Sequence, residues 1–196
     1  MSADMIRLAK AYDFAAQYHI DQRRKGAKAE PYTNHLAEVA WLVAEATGGA
    51  DTNLIIASVL HDTIEDTTAH YEDLVNAFDE DVADLVMEVS DDKRFRKSER
   101  KRLQVAHAGE LSARARIIKI ADKISNIRSI QHSPPAWPDE RKRRYFAWSK
   151  AVVDAARGVN EKIEAEFDAE YARALDKGIA DRNLVWRKEM EVEGDD

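Results

Sequence analysis

Cysteine is absent from the 196 residues. Neither a disulfide framework nor a thiolate metal site can form, and the absence is compatible with a reducing compartment. Glycine and proline are scarce, at seven and four. That scarcity argues against a sandwich or barrel of many short strands and for long helices. No apolar run reaches the roughly 20 residues of a membrane-spanning helix. The opening stretch MSADMIRLAKAYDFAAQYH lacks the uninterrupted apolar centre and small-residue cleavage site of a secretory signal. The expectation is a soluble, cytoplasmic protein with no membrane partner. Net positive charge is missing too. The formal charge is −7, which argues against general nucleic-acid binding but leaves local basic clusters able to hold a phosphorylated small molecule. Nothing in the composition selects an oligomeric state.

What is present is a helical pattern. Hydrophobic residues make up 44% of the chain, enough for a core in one domain of this length. Met5, Leu8, Ala9, Tyr12, Ala16 and His19 recur at helical spacing over residues 5–19, and the basic loop QRRKGAKAEPY follows. Val39, Leu42, Val43 and Ala46 repeat the pattern over 35–46, and Gly48 and Gly49 stop that helix. Asp51 or Thr52 is placed to cap the next, which runs towards His61. Residues 71–90 read as two short helices broken near 79–81. The charged stretch SDDKRFRKSERKR leads into a helix through about Gly109. Ser112 caps a helix over 113–131, HSPPAWP is a loop, and 139–157 and 160–175 are two more helices. The fold class expected is all-α: a single compact helical bundle of about eight to ten helices over residues 1–175, with a charged, partly helical tail over 176–196.

The chemistry concentrates in VLHDTIEDT, residues 59–67, where an apolar run meets His61, Asp62, Glu65 and Asp66. Carboxylates this close repel one another, so a cation among them is expected. In RIIKIADKISNIRSI, residues 116–130, Ile117, Ile120, Ala121, Ile124 and Ile127 form one apolar face, and Lys119, Asp122, Asn126 and Ser129 lie opposite. A solvated surface helix gives the same pattern. His35 opens one apolar helix, His61 and Asp62 end another, and Asp122 sits inside a third. Imidazole and carboxylate ligands from facing helices suit Mn²⁺, Fe²⁺ or Zn²⁺, although each residue taken singly also fits a cap or surface group.

The set His35, His61–Asp62 and Asp122 resembles the H…HD…D signature of the HD-domain phosphohydrolases. More narrowly, QRRKGAKAEPYTNH (22–35), ASVLHDTIEDT (57–67), VSDDK (89–93), IKIADKISNI (118–127) and YFAWSKAVV (145–153) resemble the small alarmone hydrolases and the hydrolase domains of the Rel/Spo class, over about residues 5–175. The resemblance implies that His35, His61, Asp62 and Asp122 bind one Mn²⁺; Zn²⁺ and Fe²⁺ accept the same ligands. It implies hydrolysis of (p)ppGpp at the 3′ position to GDP or GTP and pyrophosphate, with Glu65 and Asp66 as the catalytic pair. Arg24 and Lys25 match the pair that contacts the base, and Asn126 matches a position near the ribose. Ser129 lies one turn further on. Lys93, Lys97 and Arg102 belong to a run with seven Lys or Arg between 93 and 102, which reads either as a solvated surface or as a collar for diphosphates. Tyr32 and Tyr145 are candidate pocket walls or core aromatics. His19 reads as packed on the first helix, and His70, His107 and His132 as surface groups.

One departure stands out: Leu36 follows His35 where the resembled pattern has proline, so a small change at that helix start is expected. No synthetase, TGS or ACT-like pattern occurs, so hydrolysis without synthesis is expected. Two alternatives stay open: another phosphorylated nucleotide as substrate (an adenosine alarmone or NADPH), or a module that binds nucleotide without cleaving it.

Overall fold

The sequence contains its own helix stops and starts, and the computed structural model, which describes residues 2–190, uses most of them. Asp51 accepts the amide hydrogen of Leu54 at 3.0 Å, and Ser112 accepts that of Ala115 at 3.2 Å. Each satisfies one of the donors a helix start leaves open. Gly48, at φ 66°, takes the left-handed turn that ends the second helix. Among the described residues there are ten α-helices and no strand, only an isolated bridge between Arg23 and Pro31. The all-helical expectation holds. The described residues group into two compact units.

Among the described residues, the first unit comprises 2–24 and 29–90. It holds α1 (Ser2–Tyr18), α2 (Thr33–Thr47), α3 (Thr52–Leu60), the single turn α4 (Thr63–Asp66), α5 (Tyr71–Ala77) and α6 (Glu80–Val89). Every residue of α3 from Leu54 to Leu60 is buried, as a helix apolar all round must be. It packs against α1, α2 and α6. Burying its Leu, Ile and Val side chains stabilises the unit by roughly 1.5–3 kcal/mol each.

The apolar face of α1 differs from the sequence expectation. Met5 is 70% exposed, and Tyr12 also faces outward, whereas Ala11 and Ala15 are buried. Residues 5–19 offer two stripes of three- and four-residue spacing. The inward one is Ala11, Phe14, Ala15 and Tyr18, because it carries two rings: Phe14 lies 4.6 Å from Tyr18 and 5.7 Å from Phe78. His19 follows the last helical residue and is 1% exposed. Leu36 is buried in the first helical turns of α2, so the residue that replaces proline adds a core side chain.

Among the described residues, the second unit comprises 25–28 and 91–190. It holds α7 (Lys97–His107), α8 (Ala113–His132), α9 (Asp139–Ala156) and α10 (Glu161–Asp176), with a 3-10 turn at Lys188–Met190. In α8 the stripe Ile117, Ile120, Ala121, Ile124 and Ile127 is buried as expected, against α9 and α10. Arg128 on the same helix pairs with Glu166 and Glu170 of α10. The tail past Asp176 is tied down by Arg102, whose Nε donates to the Lys188 carbonyl at 3.0 Å. Residues 191–196 of the expected tail lie outside the described residues.

Candidate active site and metal centre

Packing of α2 on α3 brings His35, in the first turns of α2, to His61, which caps α3. The chain then turns, and Asp62 caps the start of α4. His35 Nε2 and His61 Nε2 lie 3.5 and 3.1 Å from Asp62 Oδ2. The imidazoles are buried, and Asp62 is the more open of the three. One donor atom from each residue lies within 4.8 Å of the others, and among the described residues this trio is a group able to hold a metal ion.

The donor chemistry of the trio fits a divalent cation. His61 Nδ1 lies 2.9 Å from the Ser58 carbonyl, which can only accept, so Nδ1 carries the hydrogen. With Nδ1 so occupied, Nε2 is the ring nitrogen of His61 that faces the Asp62 carboxylate. A carboxylate this close to two imidazole nitrogens calls for a positive charge, which a bound divalent ion or a protonated imidazole supplies. An outer hydrogen bond of this kind is the usual support of a metal-binding histidine. Neighbouring ligands around one ion at about 2.1 Å sit roughly 3 to 3.5 Å apart, which matches the two histidine–aspartate distances. Burial pushes the Asp62 carboxyl up, but His61 and His35 outweigh it and hold the group well below the usual carboxylate range. Tyr32 adds a third contact, donating its hydroxyl hydrogen to Asp62 Oδ2 at 2.6 Å.

Glu65 and Asp66 lie on α4 directly after this trio, and both are partly exposed. The Asp66 amide donates to the Asp62 carbonyl at 2.8 Å, so the expected one-turn spacing is present. Four residues cannot hold a helix by themselves. The Thr67 hydroxyl caps the Thr63 carbonyl at 2.6 Å, and Gln22 Nε2 donates to the Asp66 carbonyl at 2.6 Å. Arg24 lies over the Tyr32 ring, 5.9 Å from its centre. Lys25, the next residue, groups with the second unit.

Asp122, the fourth expected ligand, lies in the second unit, so the trio assembled in the first unit comprises three of the four. Asn126 donates to Asp122 Oδ1 at 2.5 Å, and Lys123 donates to Oδ2 at 3.0 Å. A carboxylate has about four acceptor sites, so both contacts leave it able to bind more. Lys123 is 3% exposed, and its ammonium lies 4.3 Å from the centre of the Trp148 ring. Burial pulls its pKa down, but Asp122 and its neighbours outweigh that and hold it above the ordinary lysine value. Ser129 is half-buried on the same helix. Tyr145 sits between Trp137 and Trp148, at 5.8 and 5.3 Å.

The basic run is partly committed to structure. Arg94 pairs with Asp92, whose pKa falls to about 2, and Lys101 lies over Trp148. Arg102 pairs with Glu99 at 3.1 Å while holding the Lys188 carbonyl. Lys93 precedes α7, and Lys97 opens it. Arg102 also lines a surface concavity of about 410 Å³ with Arg94, Phe95, Arg96, Ser98 and Glu99.

His19, Gln22 and Lys123 carry no functional role in the sequence pattern. Lys123 had a visible signal: it falls three residues after Ile120 and four before Ile127, on the apolar side of α8. Gln22 had none, because its partner Asp66 is 44 residues away.

The pattern of the HD domain family matches residues 11–153. A Xenopus tropicalis protein, guanosine-3′,5′-bis(diphosphate) 3′-pyrophosphohydrolase MESH1, is 40% identical over 181 residues, 92% of this chain and 99% of that protein. The Drosophila melanogaster protein of the same name is 42% identical over 163 residues, 83% of this chain and 91% of its own. A solved structure, described as a metazoan ortholog of SpoT that hydrolyzes ppGpp and plays a role in starvation responses, matches with a TM-score of 0.82. It is 40% identical and covers 85% of this chain and 94% of that one.

Proposed function

This chain belongs to the HD domain family, and from that premise we propose that it is a guanosine-3′,5′-bis(diphosphate) 3′-pyrophosphohydrolase: (p)ppGpp and water become GDP or GTP and pyrophosphate. The observation that carries the reading is the trio His35, His61 and Asp62, with Glu65 and Asp66 one turn on. It sits in a chain about 40% identical, over nearly full length, to relatives named for this activity.

His35, His61 and Asp62 would hold one divalent ion, and Asp122 is the fourth ligand on the motif alone. Mn²⁺ is the proposed ion. When bound, such an ion lowers the pKa of its water and shields phosphoryl charge. Glu65 accepts the proton of the attacking water, and Asp66 holds that water in line. The bond between phosphorus and the ribose 3′-oxygen breaks, and that oxygen takes up a proton. Arg24 and Lys25 are the proposed base contacts, a flat guanidinium being suited to stacking on a nucleobase. Asn126, Ser129 and Tyr145 are the proposed nucleoside contacts, and Lys93, Lys97 and Arg102 the proposed diphosphate contacts.

Among the described residues no helix is long and apolar enough to cross a membrane; the proposed location is the cytoplasm. The test is incubation of the purified, Mn²⁺-loaded protein with ppGpp, following GDP and pyrophosphate. Stoichiometric release of both is expected. Folded, metal-loaded protein that binds ppGpp and releases neither product would make it a binding module instead. Parallel rates on pppApp and NADPH report the base and phosphate preference.

A further inference from the structure

Beyond the metal trio, the first unit contains a second buried polar cluster. His19 is 1% exposed just after α1. Its Nδ1 lies 2.7 Å from Gln22 Oε1, and Gln22 Nε2 donates to the Asp66 carbonyl at 2.6 Å. The orientations are forced. A carbonyl can only accept, so the NH₂ of Gln22 must face Asp66 and its oxygen must face His19. Nδ1 therefore carries the imidazole hydrogen, and Nε2 accepts from the Thr63 hydroxyl, 3.5 Å away.

Gln22 and His19 also reach Asp62 through Tyr32. The Tyr32 amide donates to the Gln22 carbonyl at 3.1 Å, and the Tyr32 ring stacks on His19, centres 5.3 Å apart and planes 19° apart. Tyr32 in turn bonds Asp62. Arg24, two residues past Gln22, is fixed in the same loop by its amide, which donates to the Glu30 carbonyl at 2.9 Å.

From this geometry we infer that His19 and Gln22 are positioning residues: they set the Asp66 turn and the Tyr32–Asp62 contact in one fixed relation, together with the loop that carries Arg24. The inference rests on the reading that Asp66 takes part in catalysis. A space-filling role would need no polar atoms here, and apolar side chains would fill the volume without the cost of one buried and one half-buried polar group. What the amide supplies is a donor for the carbonyl that ends a four-residue helix, a group with no partner inside that helix. Displacing a reacting group by about 1 Å costs on the order of 100-fold in rate, so a tie at this point bears on kcat.

The test uses the full chain loaded with Mn²⁺ and reads kcat and KM on ppGpp, bound metal and Tm. Gln22→Glu keeps the length and an acceptor for His19 but turns an oxygen on the Asp66 carbonyl. The expected result is a fall in kcat on the order of ten-fold or more, with KM and bound metal unchanged. His19→Phe keeps a ring without the donor and lowers kcat likewise. His19→Asn restores a donor at the Nδ1 position and recovers much of the rate. Wild-type kcat in folded, metal-loaded Gln22→Glu overturns the inference, as does a rate loss that tracks only the unfolded fraction. If Gln22→Glu does not fold, Gln22→Met takes its place under the same criteria, and failure of both to fold also overturns the inference. Wild-type protein that does not cleave ppGpp defeats the functional reading instead, so the two failures are told apart.

Discussion

Tyr32 donates its hydroxyl hydrogen to Asp62 Oδ2 across 2.6 Å, the same oxygen that faces both histidines. The carboxylate is thereby oriented by a residue three positions before His35. Tyr32→Phe removes that donor and keeps the ring. Metal affinity should weaken about ten-fold, and the fold should lose about 1.5 kcal/mol, the value of a hydrogen bond to a charged acceptor. A metal titration and a denaturant melt read the two effects.

Removing a ligand should act on metal content before anything else. Asp62→Ala and Asp122→Ala are each expected to purify without stoichiometric metal and without turnover. Elemental analysis after dialysis against buffer with Mn²⁺ checks both. For Asp122 this is also the direct check of an assignment that rests on the motif.

Glu65→Gln should separate chemistry from binding. The amide cannot take the water proton, so kcat is expected to fall roughly 100-fold. Bound metal and Tm should stay at wild-type values, since Glu65 is partly exposed on α4 and outside the trio. A variant with wild-type rate would show that another group receives the proton.

Acid should destabilise the chelator-treated protein in two windows. Burial holds the His19 pKa below its usual value, with Gln22 pulling the other way. The unfolded chain takes up that proton near pH 6.5, while the native chain resists it. Stability is therefore full above about pH 6.5 and falls as pH drops below it. The Asp62 pKa is also lowered. As a carboxylate, Asp62 contributes stability above about pH 3.9, lost as pH falls through its native value. Tm measured against pH should decline from about 6.5 downward, and His19→Asn should flatten that first decline.

Some of this was legible in the residues. The α8 stripe was, because five apolar positions at regular spacing admit one inward face. The caps at Asp51 and Ser112 were, because short polar side chains before apolar runs have a local task. The inward face of α1 was not, since Ala9 and Ala16 match the spacing as well as Ala11 and Ala15, and only Phe78, far along the chain, decides between them. The Gln22–Asp66 tie was hidden for the same reason: its two ends are remote in sequence and joined only by the packing of the first unit. His19 was legible as a packed side chain, although it lies one residue past the end of α1.

The helix that ends in His61 has no water-facing side from Leu54 to Leu60. Its amides can exchange with solvent only when the whole first unit opens. Slow deuterium uptake along this segment and retention of the ion should then fail at one and the same denaturant concentration, making the metal a reporter of global unfolding rather than of local fraying.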